Sequence, residues 1–83
     1  MSNQPLKKLR DGLTSATIWE NTVQTEDGEK TRLSISLLRS YKEGEDWKET
    51  SSFSPTELLK VSRLAERAYD EVLSIRQAQK DNA

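Results

Sequence analysis

The chain has no cysteine and no histidine, and each absence removes a class of chemistry. Without cysteine there is no disulfide framework and no thiolate nucleophile, a composition that fits an intracellular protein. Without histidine the usual general base and the commonest metal ligand are both missing. Long apolar runs are lacking as well: none approaches the roughly 20 residues that span a bilayer. No basic-then-apolar leader precedes them, so the expectation is a soluble cytoplasmic protein that does not enter a membrane. Nor does the sequence contain a phosphate loop, zinc spacing or nucleophile motif. The acidic clusters are too dispersed for a metal cage. We therefore expect no enzymatic activity, no metal and no cofactor.

What is present is a single small domain, residues 1–83, with an ordered core expected over about 6–77 and frayed ends. Hydrophobic residues make up 33% and charged residues another 33%, so the apolar side chains must be gathered on a few faces if a core is to form. A domain of this size buries only about 60% of its unfolded surface. Burial of one face against a second copy would add to that, and a homodimer is expected. The net charge of −1 hides an uneven placement. Acids gather around glycines, as Glu26, Asp27 and Glu29 and as Glu43, Glu45 and Asp46. Cations lie in the segments between, which leaves a local positive surface within a neutral total.

Asp11-Gly12 and Asp27-Gly28 favour tight hairpin turns, and Lys42–Asp46 reads as a third. The runs between them are rich in Thr, Ile, Val, Leu, Trp and Tyr, which predicts strands at about 6–10, 13–23, 31–42 and 47–53. Short connections make them an antiparallel meander. "FSPTEL" then carries a helix start: Ser54 as cap, Pro55 at the first position, Glu57 to bond back, and Phe53 with Leu58 as a hydrophobic staple. Leu58, Val61, Leu64, Ala65, Ala68, Tyr69, Val72 and Ile75 form one stripe at helical spacing to about residue 77. Leu59 and Leu73 lie beside that stripe, where a partner helix can meet them. The fold class is α+β, a four-stranded antiparallel meander followed by one long C-terminal helix packed on one sheet face, ββββα.

Turn arithmetic assigns the faces. A two-residue turn at Asp27-Gly28 sets Ile18 opposite Leu37, Glu20 opposite Ile35 and Trp19 opposite Ser36, and opposite residues share a face. Leu33, Ile35 and Leu37 are the strongest alternating apolar set and must face the helix, so Trp19 faces away. A turn at Asp11-Gly12 sets Arg10 opposite Leu13 and Lys8 opposite Ser15, which brings both cations to the indole's side. If Phe53 staples the helix, Trp47, Glu49 and Ser51 point inward, with Lys48, Thr50 and Ser52 outward. Trp47 and Tyr41 then close the edge of the core. The outer face so derived holds Lys8, Arg10, Thr17, Trp19, Asn21, Arg32, Ser34, Ser36, Leu38, Ser40, Lys42, Lys48, Thr50 and Ser52.

Cationic heads and hydroxyls meet phosphate oxygens, and an indole stacks on any base. Such a face also suits plain solvation, because Ser, Thr, Lys and Arg are what an exposed sheet face ordinarily carries.

"LRDGLTSATIWEN", "LLRSYKEGEDWKETSSF" and "TELLKVSRLAERAYDEV" resemble a group of small bacterial and phage-associated proteins over nearly the whole chain. More distantly, the meander and single helix, with "RSYKEGEDWKET" leading into the helix, resemble the transcriptional coactivator positive cofactor four and its small bacterial relatives. Lys42, Gly44 and Trp47 match that family's pattern, while "ETSSFSP" lacks its basic cluster. The resemblance implies a dimer that binds single-stranded DNA across its sheets, with Lys8, Arg10, Trp19, Arg32, Lys42 and Lys48 as contacts. The expectation from residues and resemblance together is a binder of single-stranded DNA or RNA with little sequence preference. Its site is Lys8, Arg10, Trp19, Arg32, Ser36, Lys42 and Lys48. The alternative is a protein-interaction or structural homodimer in which a polypeptide covers the same face.

Overall fold

Three glycines with positive φ punctuate the sheet, and the strand pairing follows from what they allow. A computed structural model describes residues 2–81, with side chains described for residues 4–78. The strands are β1 (Ser2–Asp11), β2 (Thr14–Thr25), β3 (Gly28–Glu43) and β4 (Asp46–Thr50), in spatial order β1-β2-β3-β4 and antiparallel throughout. A 3-10 turn, Pro55–Glu57, leads into helix α1 (Leu58–Asp81). The architecture is the expected ββββα. Its elements reach further toward both ends than the sequence pattern indicated, since β1 begins at Ser2 and α1 runs to Asp81.

The turns fall one residue away from the expected positions. Thr14 pairs with Asp11, so Gly12-Leu13 is the first turn; Thr25 pairs with Gly28, so Glu26-Asp27 is the second. At the second, the two turn residues keep negative φ and Gly28 takes φ 107°, a left-handed backbone that closes the turn without a Cβ clash. Each displacement moves the pairing by two residues. Side-chain direction repeats every two residues, so the faces assigned to β1, β2 and β3 survive.

One side of the sheet carries the core. Leu9, Ala16 and Ile18 pack against Leu64, Ala68 and Val72 of α1, with Leu33, Leu37 and Ile75 partly buried around them. Ile18 is fully covered. The helix lies mainly over β2 and β1 and reaches β3 least, and Lys7 on β1 pins it by a 2.8 Å ion pair to Glu71. At its start, the Glu57 carboxylate accepts the Ser54 N–H at 2.9 Å. Arg39 Nε stands 3.1 Å from the other Glu57 oxygen, close enough for ion pairing but outside hydrogen-bond geometry. Arg39 also donates to Ser52 O at 3.4 Å. Phe53 is half-buried, but Leu58 is 53% exposed. No described helix is long and apolar enough to cross a membrane.

Candidate functional site

No described element covers the side of the sheet away from α1. Trp19 projects there, because its strand neighbour Ile18 lies in the core beneath the helix and successive side chains alternate. Trp19 is set opposite Ser34 rather than Ser36, yet its Nε1–H donates to Ser36 Oγ at 3.0 Å. Ser36 therefore anchors one edge of the indole to β3, and the ring leans along the sheet rather than standing off it. Next to it Asn21 Nδ2 donates to Ser34 Oγ at 2.9 Å. Lys8 is paired with Thr17 and Arg10 with Ser15, which places both cations on the indole's face. Ser15 and Thr17 are buried although no layer covers them; longer neighbours on the same face, including the stems of Lys8 and Arg10, provide the cover. A small notch lined by Lys8, Arg10, Leu13, Ser15 and Ser40 opens beside these cations. Arg32 and Lys42 extend the face along β3, together with Lys30, which the sequence reading did not include.

The last strand contradicts the expected orientation. Gly44 takes φ 65° and Glu43 pairs with Asp46, which fixes Lys42 opposite Trp47, Ser40 opposite Glu49, Tyr41 opposite Lys48 and Arg39 opposite Thr50. Trp47 and Glu49 are thus on the open face, and Lys48 and Thr50 are on the helix side. Trp47 does not close the core; it is 62% exposed. Lys48 leaves the predicted set and forms an ion pair with Glu43 at 3.3 Å. Ser51 and Ser52 lie beyond β4, in the loop before the helix. The expected orientation failed because it counted back from Phe53 as if the strand ran that far. β4 ends at Thr50, and the following loop breaks the alternation between Phe53 and Trp47. The signal that would have found Trp47 was the hairpin turn itself: a two-residue Gly44-Glu45 turn opposes Lys42 to Trp47.

The charges divide by face. On the helix side Lys7 is paired with Glu71, Arg39 with Glu57 and Lys48 with Glu43. On the open face Lys8, Arg10, Arg32 and Lys42 form no ion pair among the described residues, and Lys30 has only a 3.9 Å contact with Asp27. Glu49 is the one acidic residue at a described strand position of that face. Trp19 and Trp47 sit opposite Ser34 and Lys42, roughly 27 Å apart along β3 at about 3.4 Å per residue. No family model matches the chain, and neither a curated protein nor a solved structure does.

Proposed function

We propose that the protein binds single-stranded nucleic acid across the open face of its sheet, with little sequence preference. One observation carries this reading: among the described residues, strand cations without carboxylate partners share a face with an indole, while the strand cations of the sheet's other face, Lys7, Arg39 and Lys48, are paired. Lys8, Arg10, Arg32 and Lys42 contact phosphates, Trp19 offers a stacking surface, and Ser34, Ser36 and Ser40 supply hydroxyls between them. A chain with a net charge of −1 gains such a surface by confining most of its acids to turns, the helix and the helix-side face. A polypeptide cover is the poorer match. The apolar groups of this face, Trp19, Leu38 and Trp47, are separated by cations and hydroxyls, whereas the core of a protein interface is depleted in charge. Duplex DNA suits the face less well than a single strand, because an indole held against a sheet reaches a base only when that base is unstacked.

Titration with a short oligothymidylate tests the proposal. Tryptophan emission is quenched on binding, and Trp19→Ala weakens binding by about 1–3 kcal/mol. Trp47→Phe separates the two indoles by leaving the Trp19 signal in place. An oligonucleotide that leaves the emission unchanged at low salt overturns the reading.

A further inference from the structure

β3 is 16 residues long, but β4 borders only Arg39–Glu43. From Glu29 to Leu37 no described strand lies along the edge of β3 away from β2. Ladder alternation identifies the groups that point off this edge. The Ser40 N–H donates toward the β1–β2 turn, to Leu13 O at 2.8 Å, so even-numbered residues of β3 bond to the β2 side. Thr31, Leu33, Ile35 and Leu37 then direct their N–H and C=O groups outward. An edge of this kind is a template for another strand. The opposite edge of the sheet is blunted: β1 carries Pro5 and a register break between Pro5 and Lys7, both of which hinder strand addition. The open stretch of β3 has neither proline nor bulge.

The helix side of this edge is apolar and only partly covered. Because α1 lies over β1 and β2, Ile35 stays 40% exposed. Glu71 reaches Lys7 on β1, so the other flank of the helix carries Tyr69 toward β3, with Leu73 above it on the outer side of that flank. Those two are 58% and 44% exposed. The chain is also extended for its size, with a radius of gyration of 15.3 Å against about 12 Å for a compact domain of this length.

We propose that two copies of the chain join β3 to β3, antiparallel across a two-fold axis near Leu33, into one continuous eight-stranded sheet. β4 occupies the edge from Arg39 onward, which confines the joint to residues 29–37. An axis at Leu33 sets Thr31 opposite Ile35 and Arg32 opposite Ser34 of the second copy, so no like charges are directly opposite and the two Arg32 side chains are diagonal neighbours on the open face. Leu33, Ile35 and Leu37 of both copies then form one apolar strip on the helix side. With the two helices over their β2 strands, about three strand spacings or roughly 14 Å apart, Tyr69 and Leu73 close over the strip. The exposed parts of Ile35, Tyr69 and Leu73, together with the open strand edge, are the surface that the pair covers. The contact uses the same patch on both copies and closes on itself. It leaves the face of Trp19 open and continuous across the pair, and it does not depend on nucleic-acid binding.

Sedimentation equilibrium without nucleic acid tests it. The expected mass is twice the 9.5 kDa of one chain, and Thr31→Pro, which removes an outward N–H, raises the dissociation constant at least about tenfold, as does Ile35→Lys. Hydrogen exchange on the unsubstituted protein gives a second measurement: the Leu33 and Ile35 amides exchange as slowly as those of the β2 ladder. A single-chain mass at every concentration overturns the proposal. So does a dimer that ignores both substitutions, one that dissociates on Trp19→Ala instead, or rapid exchange of those two amides.

Discussion

Glu57 links the helix start to the sheet. The Ser54 backbone N–H holds its carboxyl below the ordinary value of 4.5, the Ser54 side chain adds to the effect, and the charges of Arg39 and Lys60 contribute less. A group whose folded pKa is depressed contributes stability that is present above its unfolded pKa and is lost as pH falls through the folded value. Acidification from pH 6 toward pH 3 therefore loosens the junction of Ser54, Glu57 and Arg39. Thermal unfolding at the two pH values should show a smaller acid-dependent loss for Glu57→Gln than for the unsubstituted chain. An equal loss in both would place the acid sensitivity elsewhere. Trp19 illustrates a different residue-scale effect: its hydrogen bond to Ser36 fixes the ring's edge, so a base meets a platform already ordered and sacrifices less side-chain freedom on binding.

Turns set the register of each strand, and they explain what the sequence disclosed. The Trp19 face was legible because apolar alternation at Leu33, Ile35 and Leu37 and the parity of the strand pairing agree, and a turn displaced by one residue preserves that parity. The helix start was legible for a similar reason: cap, proline and Glu57 fall within four consecutive residues. The direction of Trp47 does not follow from Phe53, because the loop after Thr50 lies between them and side-chain direction there is no longer tied to the pleat. The open edge of β3 was hidden too, because the pattern extends the last strand to residue 53 and starts β3 at about 31, whereas β4 ends at Thr50 and β3 begins at Gly28. Gly44 now holds that register. At φ 65° a Cβ is strained, so Gly44→Ala should cost about 1–2 kcal/mol in urea unfolding, although nothing lies within 4 Å of the added atom. A neutral result would mean that the turn relaxes to another type and that the Lys42–Trp47 pairing is not fixed by it.

At the scale of the whole molecule, one thin sheet separates two environments. The helix-side face of the sheet has the apolar core and strand cations neutralised by Glu71, Glu57 and Glu43; the other face has the indoles of Trp19 and Trp47 and, among the described residues, strand cations without such partners. Joining two copies through β3 lengthens both environments without mixing them. The salt dependence of oligothymidylate affinity tests this division most directly. With Lys8, Arg10, Arg32 and Lys42 each on a phosphate, log K falls with log salt at a slope of about −3, and removal of any one cation reduces the slope by about 0.7. Lys7→Ala and Lys48→Ala, on the helix side, leave it unchanged. A slope near zero, or one that the helix-side substitutions alter as much as the open-face ones, would contradict the account.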